Sequence, residues 1–223
     1  MRTAWLARLA ALGLAFLATA APAASTAPMA GFPPPGTLSY VIKRNGDAIG
    51  THEMEFRRDG DRYEVLTRIE VAIKFLGITA FRFENQSTEE WVDGRLASFV
   101  SRSNDDGKMH DVVVKPQGDD ALWVTENGVR KLFPNVSLIG TLWNPATVSQ
   151  TRLIDPVDGK LRQVAITDHG AETITVRGRP VNARHVTVIG KSWRREVWYG
   201  GDGSILHFEF TAKDDSLIVA ELR

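Results

Sequence analysis

Five histidines, His52, His110, His169, His185 and His207, are the side chains of this 223-residue sequence best suited to acid–base or metal chemistry. No two of them stand at a metal-ligand spacing. His52-Glu53 lacks the second histidine of a zinc-protease helix and lies in an alternating, strand-like stretch. His110 and Asp111 are neighbours, so on a strand they point to opposite faces. Strand pairing could gather His52, His185 and His207, but histidines scattered over a sheet are the plainer reading. No metal and no cofactor is assigned.

Nucleophilic catalysis finds as little support. The chain has no cysteine, which excludes thiolate nucleophiles, thiolate metal sites and disulfides. It has no Gly-x-Ser-x-Gly elbow and no Ser-x-x-Lys pair. A glycine-rich phosphate loop and a dinucleotide fingerprint are also absent. Adjacent carboxylates occur at Glu89-Glu90, Asp105-Asp106, Asp119-Asp120 and Asp214-Asp215. The last three lie in turn-like clusters, and of Glu89 and Glu90 only one can face inward on a strand. A hydrolase would have to assemble its site from distant strands, with His185, His207, Glu196 and Asp155 as first suspects.

The aromatic residues are more suggestive. Trp193, Val197 and Tyr199 share one face of a strand and Trp198 takes the other. Such residues commonly serve a core. The alternative is an aromatic-lined concave face for an apolar or sugar ligand. The candidate ligand contacts on that reading are Trp91, Trp143, Asn144, Trp198 and Tyr199.

Hairpins must position these residues. Asn45-Gly46, Asp59-Gly60, Asp93-Gly94, Asp106-Gly107, Asn127-Gly128, Asp158-Gly159 and Asp202-Gly203 supply the positive φ that tight hairpin turns require. Alternating stretches flank most of them. In Tyr63–Lys74, Tyr63, Val65, Ile69, Val71 and Ile73 face one way, opposite Glu64, Arg68, Glu70 and Lys74. About 14 strands are predicted. Residues 134–148 break the pattern and predict a short helix or a folded loop lying on the sheet. The fold class is all-β: an antiparallel, hairpin-rich rolled sheet or barrel with that one non-strand segment.

The first 23 residues have the form of a secretory signal peptide. Arg2 and Arg8 precede an Ala/Leu-rich apolar stretch, and Ala21-Pro22-Ala23 fits cleavage after Ala23. Residues 24–36, rich in Pro and Ala, predict a flexible leader, and 37–223 a single β domain. The full chain is formally neutral, and loss of Arg2 and Arg8 leaves −2. No basic stripe offers a nucleic-acid footprint, and no segment reads as a transmembrane anchor. An exported, disulfide-free, Ala- and Arg-rich chain points to the bacterial periplasm.

Several motifs taken together resemble a family of exported bacterial β-rich proteins of unknown function. They are Tyr40-Val41-x-x-x-Asn45-Gly46-x-x-Ile49-Gly50, Glu90-Trp91-x-x-Gly94-x-Leu96, Asn104-Asp105-Asp106-Gly107, Trp143-Asn144, Asp155-x-x-Asp158-Gly159, Gly170-x-Glu172 and Val197-Trp198-Tyr199-x-x-Asp202-Gly203-x-Ile205. The resemblance implies an antiparallel β architecture and supplies no catalytic residues. A looser likeness to the half-barrels of periplasmic lipoprotein carriers is a fold analogy alone. The expected function is a non-catalytic periplasmic binding or accessory module for an apolar, lipid or glycan ligand. A hydrolase is the alternative, and an outer-membrane barrel lacks traceable aromatic girdles.

Overall fold

Asn-Gly and Asp-Gly turns set the frame of the chain, seen in a computed structural model that describes residues 31–75 and 78–223. In Asn45-Gly46, Asp93-Gly94, Asp106-Gly107 and Asn127-Gly128 both residues have positive φ, between +46° and +95°. That is type I′ geometry, whose twist matches that of two paired strands. Arg177-Gly178 makes a fifth such turn, with φ of +51° and +73°. Asp59-Gly60 slips by one: β2 ends at Asp59 and β3 starts at Arg62, so the turn is Gly60-Asp61.

Among the described residues fifteen strands result, against about 14 expected: β1 (Gly36–Arg44), β2 (Asp47–Asp59), β3 (Arg62–Phe75), β4 (Ile78–Val92), β5 (Arg95–Asp105), β6 (Lys108–Gln117), β7 (Ala121–Glu126), β8 (Val129–Pro134), β9 (Arg152–Ile154), β10 (Leu161–Gln163), β11 (Ala165–Val176), β12 (Arg179–Gly190), β13 (Trp193–Tyr199), β14 (Ile205–Thr211) and β15 (Leu217–Leu222). Thirteen form one antiparallel sheet in the order β11-β12-β13-β14-β15-β1-β2-β3-β4-β5-β6-β7-β8. Neighbours in space are neighbours in sequence except at one seam, where β1 lies against β15 with Tyr40 opposite Leu222. Strands β8 and β11 are the free edges, so the sheet is rolled but not closed.

The segment between those edges fills the roll. Val136, Leu138, Ile139, Leu142 and Trp143 are buried in the common core. A 3-10 turn, Pro145–Ser149, follows, capped by the Asn144 side chain, which accepts from the Ala146 N–H at 2.9 Å. Strands β9 and β10 pair only with each other, and Ile139 bridges to Ile154. Thus the expected helix or loop does not lie over the sheet; it is packed inside. Apolar density explains this, because five large apolar residues in eight leave no polar face to turn outward.

Gly159 fixes one contact of this plug. Its φ is +65°, and a Cβ there would sit 2.9 Å from Val124 Cγ1 on the inner wall. Phe32 and Pro33, within residues 24–36, also touch the core. Phe32 packs edge-on against Tyr63, Trp91 and Trp143, and the Pro33 carbonyl accepts from the Tyr63 hydroxyl at 2.5 Å. Residues 1–30, with the expected signal peptide, lie outside the described residues.

Candidate functional site

Side-chain alternation sends one set of residues of every long strand into the roll. On β4 these are Asn85, Ser87, Glu89 and Trp91, all buried. Glu89 sits beneath the plug against the indoles of Trp91 and Trp143, and Phe32, Phe56, Tyr63 and Trp91 pack around the Trp143 ring. Its Oε1 accepts from Trp143 Nε1–H and Thr141 Oγ–H, both at 2.7 Å, and Oε2 accepts from Trp91 Nε1–H at 3.3 Å. Burial pushes the carboxyl up to about 7, against the three hydrogen bonds that favour its charged form. The Tyr199 hydroxyl donates to Leu142 O at 2.6 Å from the other half of the roll. Leu142 has φ of +66°, an uncommon conformation for a bulky residue. The plug is therefore tied to β4 and β13 by polar bonds as well as by packing.

A polar band follows along the inner wall. Met54, Thr67, Ser87, Ser101, Val112 and Glu126 lie opposite one another across β2 to β7, and His52, Ile69, Asn85, Ser103 and His110 form the next row. Asn85 donates to Ser101 at 2.9 Å and Ser103 at 2.8 Å. His110 Nδ1 is 2.8 Å from Glu126 Oε1. His52 differs: its Nε2 is buried with no hydrogen-bond partner among the described residues, and burial pulls the imidazole down to about 4.

Past this band the inner wall turns apolar. Val71 and Phe83, then Ile73 and Phe81, pair across β3 and β4, while Phe208 and Phe210 lie on β14. All six are only half-buried. Arg195 stands among them, its guanidinium 5.1 Å from the Trp193 ring and 5.7 Å from those of Phe208 and Phe210. Burial lowers its pKa, while the Asp155 carboxylate of the plug opposes that shift. The arrangement is an apolar end wall, a polar band and a cation beside an ionic plug surface, where Arg162 pairs with Asp155 and Asp158.

The outer face carries a second cluster. Across β12 and β13, His185 is opposite Trp198 and Thr187 opposite Glu196. His185 is sandwiched between His169 (4.5 Å) and Trp198 (4.3 Å, 8° between planes). His185 Nε2 lies 2.8 Å from Glu196 Oε2, and Thr187 Oγ–H donates to the same oxygen at 2.6 Å.

Residues 40–223 match a family described as Domain of unknown function (DUF6134). The chain belongs to this family. No curated protein matches the sequence of this DUF6134 member. Its fold is similar to that of a solved structure described as a beta-barrel-like protein of Domain of Unknown Function DUF1849 from Brucella abortus. The TM-score is 0.65 at 13% identity, over 87% of this chain and 98% of that one. Likeness at that identity concerns the fold alone, and it supports the rolled antiparallel sheet expected from the hairpins.

The candidate ligand contacts of the DUF6134 domain do not share one surface. Trp143 and Trp91 are core residues whose indole N–H groups bind Glu89, and Asn144 is a buried turn cap. Tyr199 faces the plug, while Trp198 lies on the outer face and donates to Glu172. Of the hydrolase suspects, His185 and Glu196 touch, and His207 meets the edge of Trp198 at 4.9 Å; Asp155 belongs to the plug. His52 is on the opposite face from His185 and His207. His169 was not among the suspects, because only a β-bulge in β11 turns it toward His185.

Proposed function

We propose that this domain is a non-catalytic binding module of the bacterial cell envelope that holds the apolar part of a lipid in the end of the roll left unfilled by the plug. The observation that carries the reading is the half-buried inner wall of Val71, Ile73, Phe81, Phe83, Phe208 and Phe210. Inward-facing aromatic and branched residues at the mouth of a β-roll suit an apolar ligand, and a few placed polar groups suit its head. Arg195 and His52 Nε2, which has no partner among the described residues, are such groups.

Export follows on this reading from the sequence of residues 1–23, with cleavage after Ala23. The mass of the N-terminus in protein recovered from a periplasmic fraction tests it. Lipid holding is tested by native mass spectrometry with lipid extraction, and by titrating the purified domain with a fluorescent fatty acid. Saturable binding is expected, weakened at least tenfold by Phe83→Glu and unaffected by Thr88→Glu on the outward side of the same strand. No co-purified lipid together with no saturable uptake of the probe overturns the reading.

A further inference from the structure

We propose that His169, His185 and Glu196 form a binding site for a divalent transition metal of the zinc class on the outer face, clipping the free edge strand β11 to β12 and β13. The site is independent of the inner wall.

The side chains come from three adjacent strands, and one ligand atom from each lies within 4.8 Å of the other two. Two imidazoles and one carboxylate are a donor set suited to zinc, and three protein ligands leave a fourth position for water. Metal bonds of about 2.0–2.2 Å to nitrogen and oxygen in tetrahedral geometry need donor atoms roughly 3.4 Å apart. His185 Nε2 and Glu196 Oε2, at 2.8 Å, must part by about 0.6 Å to admit the ion. The contraction from up to 4.8 Å falls to His169, which is exposed and turns from its contact with Thr187 toward the ion.

Three local features favour this use of the cluster. First, register shifts between Asp168 and Gly170, making His169 the extra residue of a bulge opposite His185. Gly170 takes φ of +81°, and its N–H is held by Asp168 Oδ1 at 3.0 Å. Bulges of this kind re-aim a side chain. Second, Glu172 Oε1 lies 3.4 Å from His185 Nδ1 and also accepts from Trp198. An outer carboxylate there holds the Nδ1–H tautomer once a metal occupies Nε2. Nε2 and Glu196 Oε2 are hydrogen-bond partners at 2.8 Å, and a cation between them takes the place of the shared proton, which is released to solvent. Third, Thr187 donates to Glu196 Oε2 and stands 2.7 Å from His169 Nε2, so it gathers both side chains at the cluster before an ion binds. Arg194 holds the other oxygen, Oε1, at 2.5 Å, which leaves Oε2 for the metal.

The test is titration of the chelator-stripped full domain with Co²⁺ and then Zn²⁺, read by the ligand-field spectrum of bound Co²⁺ and by quenching of tryptophan fluorescence, since Trp198 stacks on His185. One equivalent of Co²⁺ with a four-coordinate spectrum is expected, displaced by Zn²⁺, with a rise in the thermal unfolding midpoint. His169→Ala, an exposed change that circular dichroism will show to be folded, should weaken binding at least tenfold. Glu172→Gln should weaken it about ten- to a hundredfold, and His207→Ala, outside the triad, should leave it unchanged. Equal binding by wild type and His169→Ala, or no four-coordinate Co²⁺ spectrum in the wild type, overturns the proposal.

Discussion

Glu89→Gln is the sharpest probe of the interior. The carboxyl is fully buried and pushed from its ordinary 4.5 to about 7 by loss of solvent. Between those values the folded protein binds a proton that the unfolded chain has released. Stability contributed by this group is therefore complete below pH 4.5 and is lost as pH rises toward and through 7. At about 1.4 kcal/mol per pH unit, the loss comes to about 3 kcal/mol. His52 acts in the opposite sense. Burial takes it from 6.5 to about 4, so the unfolded state binds the extra proton and stability rises with pH across that window by a similar ~3 kcal/mol. The raw wild-type profile will be flattened where the two windows overlap. The difference between wild type and Glu89→Gln removes the His52 contribution and isolates Glu89. Urea unfolding followed by tryptophan fluorescence at pH 5, 6, 7 and 8 measures it. The wild type should lose roughly 2–3 kcal/mol relative to the variant over that range. A difference constant to within about 0.5 kcal/mol would refute the reasoning, because Glu89 would then bind the same number of protons in the folded and unfolded states across the range.

Trp143→Ala should cost about 3–5 kcal/mol in urea unfolding, as expected for deleting a fully buried large aromatic side chain. Trp143→Phe should cost less but leave Glu89 short of a donor, pushing its titration higher in the same pH series. Gly159→Ala combines a left-handed backbone with a Cβ 2.9 Å from Val124. It should destabilise by roughly 1–3 kcal/mol by the same assay. Phe32→Ala should lower the thermal midpoint by several degrees, whereas Pro35→Ala, at an exposed position, should not.

Turn chemistry made much of the fold readable from sequence. Asn and Asp before Gly mark four of the type I′ turns directly, and alternation in Tyr63–Lys74 recovers the inward face of β3. Arg177-Gly178 escaped because arginine carries no turn signal of its own; the glycine and the paired strands impose the conformation. Residues 134–148 were legible as a break, but their position inside the roll depends on contacts with both halves of the sheet, at Glu89 and at Tyr199. Alternation also required that only one of Glu89 and Glu90 face inward. It could not tell that the buried one would meet, besides Trp91 on its own strand, an indole and a threonine from the distant plug. His169 was hidden for a different reason: a bulge shifts register by one residue without leaving a pattern in residue types. The pairing of His185 with Glu196 depends on the register of β12 against β13, which the Lys191-Ser192 connection sets locally but does not announce.

The seam between β1 and β15 has a consequence for how the molecule is assembled. Every other strand contact in the large sheet joins sequence neighbours, so β1–β8 and β11–β15 can each grow as a chain of hairpins. Their union at the seam joins positions as far apart as Lys43 and Glu221, 178 residues away along the chain. Such a distant closure is entropically costly and slow. Until it happens, the plug has two half-walls but no enclosing roll, and β15 acts as the latch. A chain lacking β15 would thus be expected to hold hairpins without a unified core, exposing Tyr40, Met54 and Phe56, which the finished roll conceals.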